Sequence, residues 1–323
     1  MKALRFYGPG DVRLEDVPRP EPGPGDVLVA VEAALTCGTD AKAFRRGHPV
    51  LLRELPSPFG HEFAGVDVAT GRRVVAPNSA PCGECAPCAR GAETLCERLQ
   101  PLLNGAYAEY VLVPERIASR NLLPVPERLP AEIAALVEPL ACCLHAIERA
   151  QIEGGQVVAV LGVGPTGLML CAAAADAGAI VVAVGSRPER RAVAPEFGAD
   201  LGDGRGADVV IEAAGTPEAW RDAVELVRPG GTVVFFGGCA PGTTVPVDTY
   251  RLHYEELTLR GVFHHAPRHV RAALAFLTSR AYPWERLITH HVGLDEVPRL
   301  FANPPRDLLK AAVLPKAASW RVR

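Results

Sequence analysis

The chain has 323 residues, 48% of them hydrophobic, and a formal net charge of −3. That length suits two domains with ample core material, and the charge balance gives no electrostatic basis for binding nucleic acid or an anionic membrane. No apolar run reaches the roughly 18 residues of a membrane span, and the opening MKALRFYGPGDVRLEDVP lacks the apolar core of a secretory signal, so a cytoplasmic protein is expected. The first third carries short β-like runs between Pro- and Gly-rich connections: VLVAVEAAL (27–35), FAGVDVA (63–69), RRVVAP (72–77) and AEYVLVP (108–114). They predict a compact antiparallel region. The pattern changes near residue 124. A helix is expected over 131–150, a buried strand at VVAVLG (157–162) and an Ala-rich helix over 166–177. Strands follow at IVVAVG (180–185), DVVIEAAG (208–215) and TVVFFGG (232–238). Strands alternating with helices predict a parallel sheet. The chain closes with ELTLRGVF (256–263), a helix at about 267–280 and the strand-like KAAVLP (310–315).

Nine cysteines, an odd number, favour metal ligands and buried thiols over a disulfide framework. Four of them, Cys82, Cys85, Cys88 and Cys96, fall in CGECAPCARGAETLC with spacing C-x2-C-x2-C-x7-C. Such gaps let thiolates converge on one tetrahedral Zn2+, filling its coordination sphere, so the site braces a lobe and does no chemistry. An iron–sulfur cluster is the rival occupant, and unmetallated thiols the bland one. A second set is more scattered: Cys37 in TCGTD, His61 and Glu62 in GHEFAG, and Glu138 in VEPLACC. One thiolate, one imidazole and one or two carboxylates make a zinc site with room for water. Each also has an ordinary reading: a small buried Cys, a Gly-His-Glu turn, and a glutamate at a helix start.

VVAVLGVGPTGLML supplies Gly162, Gly164 and Gly167 as G-x-G-x-x-G between a buried strand and a helix, with Pro165 and Thr166 opening that helix. This is the context dinucleotide binding requires, with the pyrophosphate on the helix start. Enzymes that take NAD carry an Asp or Glu at the end of the second strand. Here stand Gly185, Ser186 and Arg187 in VGSRPERR. A hydroxyl and a guanidinium without a carboxylate suit a 2′-phosphate, so NADP(H) is favoured over NAD(H). Arg190 and Arg191 either assist or are solvated helix residues, and Glu189 is a contrary signal. His264 and His265 read as polar loop residues, or as residues reaching a neighbouring subunit or the substrate cleft; His290 and His291 read as loop or strand residues, Cys171 and Cys239 as core, and Cys142 and Cys143 as buried helix residues, one of which could touch the nicotinamide.

GHEFAG, CGTD, the four-cysteine loop, VEPL and the glycine motif occur in the order seen in zinc-dependent medium-chain alcohol dehydrogenases, over nearly the whole chain. VEPL resembles the polyol (sorbitol-type) branch, and GSRP resembles NADP-dependent secondary alcohol dehydrogenases. The resemblance implies that Cys37 and His61 ligate a catalytic zinc and that Glu62 is a ligand or a close carboxylate. Glu138 occupies the place of a Cys ligand in simple alcohol dehydrogenases and of a water-holding glutamate in polyol dehydrogenases. Asp40 resembles the residue that orients the histidine, and Thr39 the hydroxyl that passes the substrate proton outward. Many relatives end that relay at a histidine. Lys42 stands near that position here, with His48 as the alternative.

The expected fold is α/β in two domains: a GroES-like β-rich catalytic domain from 1–122 and 268–323, and a doubly wound Rossmann domain over 123–267. The resemblance implies two Zn2+ per chain and a hydride transfer between a secondary alcohol or polyol, or its ketone or aldehyde, and a nicotinamide. It also implies a homo-oligomer, dimer or tetramer. Two alternatives are a zinc-free quinone or enoyl reductase of the same superfamily and a zinc-braced binding module without catalysis.

Overall fold

In the computed structural model, which describes residues 1–48, 51–52 and 54–315, the run VLVAVEAAL forms the strand Val27–Leu35. Both of its faces are largely buried, which suits its continuous apolar character. It pairs antiparallel with Glu62–Asp67 along one edge and with Tyr110–Val113 and Lys310–Val313 along the other. Ile288–Val292, Arg73–Val75 and Leu123–Pro124 extend this to a seven-stranded sheet. A separate three-stranded sheet joins Asp11–Asp16, Lys2–Gly8 and Ser57–Pro58. The core between them is aromatic: the Phe59 ring lies 5.7 Å from Phe6, 5.6 Å from Tyr107 and 5.8 Å from Phe301. Among the described residues, this first compact unit takes in Met1–Pro139, His265–Arg280 and 287–315. Residues 316–323 of the predicted catalytic segment lie outside the described residues.

The second unit, Leu140–His264 with Ala281–Arg286, holds a six-stranded sheet. Its spatial order is Ala199–Leu201, Ile180–Val184, Val157–Leu161, Ala207–Glu212, Val227–Phe235 and Thr258–Gly261, with every pair parallel. Numbered along the chain this is 3-2-1-4-5-6, the doubly wound Rossmann order. The order reverses between Val157–Leu161 and Ala207–Glu212, where such sheets open a crevice.

Four features depart from the sequence reading. The helix expected over 131–150 is two helices, Ala131–Ala134 and Val137–Ala150, because Pro139 has no N–H for the Ala135 carbonyl and its ring crowds that turn. The first unit continues past 122 to Pro139, because Ala131–Ala134 packs on the strands Val27–Leu35 and Glu62–Asp67. Within the expected catalytic segment, Ala281–Arg286 belongs to the second unit: Tyr282 donates to the Ala172 carbonyl at 3.1 Å, and Arg286 pairs with Glu196 at 3.0 Å. Finally, a short strand that the sequence reading did not place, Ala199–Leu201, precedes Ala207–Glu212 with no helix between the two. The crossover loop GDGRG lies against the sheet instead. A Cβ on Gly202 would come 2.7 Å from Val182, and one on Gly204, at φ +71°, would come 2.9 Å from Ala159. Only glycine lets the backbone pass that close.

Candidate active site and metal centres

The antiparallel register sets Leu35 opposite Glu62, so Cys37, just past one strand end, and His61, just before the other, meet at the same sheet edge. Cys37 is also the N-cap of the helix Gly38–Arg46. Its Sγ accepts from the Thr39 N–H at 3.4 Å, and its own N–H donates to Asp40 at 3.2 Å. Donor atoms of Cys37, His61 and Glu62 all lie within 4.8 Å of one another.

Asp40, on the first turn of that helix and buried, organises the group. Its Oδ1 lies 3.0 Å from His61 Nδ1, and its Oδ2 accepts from the Tyr107 hydroxyl at 2.5 Å. A carboxylate on Nδ1 fixes the tautomer that presents Nε2 as the free lone pair. Burial pushes the His61 ring down, but Asp40, by charge and hydrogen bond, outweighs this and holds it well above the usual histidine value.

Lys310, which the sequence reading passed over, reaches the same place. Its buried Nζ donates to Glu62 Oε2 at 2.5 Å and to the Thr36 carbonyl at 3.1 Å. Burial raises the Glu62 carboxyl and Lys310 opposes the rise. Glu62 Oε1 is buried with no hydrogen-bond partner. An orphaned carboxylate oxygen beside a thiol and an imidazole is a donor set that fits Zn2+. A sequence signal for Lys310 existed: lysine occurs only at 2, 42, 310 and 316, and one of these opens the otherwise apolar KAAV strand.

Glu138 is not one of the three converging residues. It is buried on the helix Val137–Ala150, with its Oε1 3.9 Å from His265 Nε2. Burial, with Glu62 adding and His61 opposing, pushes its carboxyl up to about 7. His265, in the loop before the helix Pro267–Ser279, is buried. Thr39 and Lys42 are half-buried on the helix Gly38–Arg46. His48 is half-buried too, and its Nδ1 accepts from the Leu51 N–H at 3.2 Å. Burial and then the nearby His61 push its ring down.

The four thiols Cys82, Cys85, Cys88 and Cys96 form their own small cluster with Leu99. All four are free, and their sulfurs lie within 4.8 Å of one another, with Cys82 to Cys88 at 4.0 Å and Cys85 to Cys96 at 3.9 Å. Sulfurs 2.3 Å from a central zinc form a tetrahedron with edges of about 3.8 Å. Backbone N–H groups point at the sulfurs, Cys82 N to Cys96 Sγ at 3.2 Å and Cys85 N to Cys82 Sγ at 3.3 Å. The N–H of Glu84 leads in holding the Cys82 thiol down to about 6, whereas burial pushes the Cys88 thiol up to about 12.

In the second unit, Val157–Leu161 turns at Gly162, φ +118°, into the helix Pro165–Asp176, with Gly164 as an N-cap that supplies no side chain. A Cβ on Gly167 would sit 1.7 Å from the Gly162 carbonyl oxygen. Around Gly164 nothing approaches a Cβ position except Arg190 Nη1 at 3.9 Å. A bare, uncapped helix start with an open glycine before it is a cradle that fits a pyrophosphate. Pro165 and Thr166 form the first turn, and the Thr166 carbonyl accepts from Cys143 Sγ at 3.6 Å. Gly185, Ser186 and Arg187 follow the second strand, with Ser186 and Arg187 exposed and Arg190 and Arg191 half-buried.

The family model for the alcohol dehydrogenase GroES-like domain matches residues 23–127, and that for the zinc-binding dehydrogenase matches 199–279. An erythritol/L-threitol dehydrogenase of Mycolicibacterium smegmatis is 33% identical, over 92% of this chain and 92% of its own. A D-altritol 5-dehydrogenase of Agrobacterium fabrum is 32% identical, over 95% of this chain and 97% of its own. A solved structure from Sinorhizobium meliloti 1021, described as a zinc-binding dehydrogenase bound to NADP, matches with a TM-score of 0.88 at 33% identity, covering 97% of this chain and 99% of that one. Converging donors at Cys37, His61 and Glu62, a four-thiol lobe and a Rossmann sheet with its glycine turn thus coincide with these likenesses, and the chain belongs to the zinc-binding alcohol dehydrogenase family.

Proposed function

We propose that the chain interconverts a secondary alcohol of a small polyol and the corresponding ketone, with NADP(H) preferred over NAD(H) and two zinc ions per chain. The observation that carries this reading is the convergence of Cys37, His61 and Glu62 within 4.8 Å, separate from the four-thiol lobe. The polyol names of the relatives support the substrate class. The NADP in the Sinorhizobium structure and the absence of a carboxylate at Gly185–Ser186–Arg187 support the cofactor.

A bound zinc supplies Lewis acidity that eases removal of the alcohol proton, and a bound nicotinamide accepts the hydride. Cys37 Sγ, His61 Nε2 and the unpartnered Glu62 Oε1 would hold the catalytic ion, and Cys82, Cys85, Cys88 and Cys96 the structural one. Asp40 keeps the imidazole in its ligand tautomer, and Lys310 holds the other Glu62 oxygen. Glu138, with a carboxyl near neutrality, is the carboxylate for the water side of the centre. The Thr39 hydroxyl takes the substrate proton outward, with His48 as the next base. The glycine turn Gly162–Gly167, through Pro165 and Thr166, receives the pyrophosphate, and Ser186 and Arg187 receive the 2′-phosphate.

Among the described residues no helix is long and apolar enough to cross a membrane. A cytoplasmic homo-oligomer, dimer or tetramer, completes the reading. The test is kcat/KM on a panel of tetritols, pentitols, hexitols, simple secondary alcohols and amino alcohols, with NADP+ and NAD+ in parallel. Turnover of polyols with NADP+ ahead of NAD+ is expected. Turnover confined to quinones or enones, surviving loss of Cys37, would overturn it.

A further inference from the structure

Glu212 ends the fourth strand of the parallel sheet, at the point where the strand order reverses, and is fully buried. A carboxylate at that depth needs strong donors. Its Oε1 accepts from the N–H groups of both Ala214 and Gly215, each at 2.7 Å. Its main-chain carbonyl accepts from the N–H groups of Phe236 and Gly237, each at 2.9 Å. One residue thus ties down the turn that follows its own strand and the segment that follows the fifth.

That turn backs the glycine motif. The Ala213 N–H donates to the Leu161 carbonyl at 2.9 Å, and a Cβ on Gly162 would lie 3.1 Å from Ala214 N. On the other side a Cβ on Gly237 would lie 2.6 Å from Glu212 Oε2 and 2.3 Å from Gly215 N. Glu212, the turn 213–215 and Gly162 therefore lie in direct succession.

We infer that Glu212 is a positioning residue for the nicotinamide cofactor: by holding the 213–215 turn against Gly162 it fixes the backbone donors of the glycine turn on the pyrophosphate. This rests on the reading of Gly162–Gly167 as the dinucleotide turn. The pyrophosphate is common to both cofactors, so Glu212 acts equally on NADP and NAD.

The experiment is calorimetric titration of NADPH, NADH and ADP-ribose into the wild type, Glu212→Asp and Glu212→Gln, with thermal unfolding of each nucleotide-free protein. Asp is one methylene too short to keep both N–H bonds, and its affinity for all three ligands is expected to fall about tenfold. Gln keeps a carbonyl oxygen in place and is expected to stay within about threefold. Unchanged affinities in a less stable Glu212→Asp protein, or a loss confined to NADPH, would overturn the inference. If Glu212→Asp does not fold, amide exchange in the wild type decides: the Ala214 and Gly215 amides are expected to be protected without nucleotide and to slow further with NADPH. Fast exchange, or no further slowing, overturns it. A wild type that binds none of the three ligands sinks the dinucleotide reading itself and this inference with it. Binding that survives Glu212→Asp sinks this inference alone.

Discussion

Replacing Lys310 by Met removes one side of a buried ion pair and leaves the other in place. The Nζ is enclosed, 2.5 Å from Glu62 Oε2 and 3.1 Å from the Thr36 carbonyl, so no water replaces it cheaply. Losing one partner of such a pair costs about 3–5 kcal/mol, because the remaining charge stays buried. The Thr36 carbonyl, one donor short, adds about 1 kcal/mol. Glu62, already raised by burial, loses the cation that opposes the rise and takes up a proton at higher pH. Removing both charges in Glu62→Gln/Lys310→Met relieves most of this, so the double variant is expected to lose at least about 1.5 kcal/mol less than the sum of the single losses. The assay is urea unfolding of chelator-stripped protein followed by circular dichroism, which keeps lost metal out of the comparison. Additive losses, or a Lys310→Met protein as stable as the wild type, would show that the pair does not hold Glu62.

Glu138 gives the metal-free protein a pH-dependent stability. Its folded carboxyl sits at about 7 against an ordinary 4.5, so the folded state binds the extra proton between those values and stability falls as pH rises through that window, by about 2–3 kcal/mol. Glu138→Gln is expected to flatten that part of the profile in thermal melts at pH 4.5–7.5, and an unchanged slope would contradict the assignment. Arg187→Ala is expected to weaken NADPH by about ten- to a hundredfold, the worth of charge-assisted hydrogen bonds, and to leave NADH unchanged. Equal loss for both cofactors in fluorescence titrations would contradict the 2′-phosphate role. Gly204→Ala forces a Cβ to 2.8 Å from Val184 at φ +71°, and a loss of about 2–3 kcal/mol is expected in chemical denaturation. A neutral variant would mean the crossover loop lifts easily from the sheet.

Much of the fold was legible because the signals are local. VLVAVEAAL runs from Val27 to Leu35 in sequence and structure alike, and the alternation of strands and helices after residue 157 foretold the parallel sheet. The four-thiol lobe was legible for the same reason, since its ligands lie within one short loop. The scattered set Cys37, His61 and Glu62 was legible as residue types and through the resemblance, but not as geometry: Cys37 and His61 meet through strand register, which no local pattern specifies. Lys310 reaches Glu62 across 248 positions of chain, and its only trace was a charge at the head of an apolar strand. The crossover loop was hidden because GDGRG reads as an ordinary turn; its role depends on Val182 and Ala159 lying beneath it. The helix Pro217–Leu226 was missed despite a signal in plain view, the Thr216 cap followed by a proline. Glu138, read with the zinc ligands from its residue type and from the resemblance, lies on the helix Val137–Ala150, 3.9 Å from His265, and the two-residue break that separates this helix from Ala131–Ala134 left no periodic trace in the sequence.

The claim on which the reaction depends is that one ion is enclosed by the four thiols and a second sits on Cys37, His61 and Glu62. Zinc content per chain, measured by elemental analysis on the purified wild type and on Cys37→Ala, tests it most directly. The account predicts two ions in the wild type and one in Cys37→Ala, with the thiol-lobe ion retained. A single ion in the wild type, kept in full by Cys37→Ala, would contradict it.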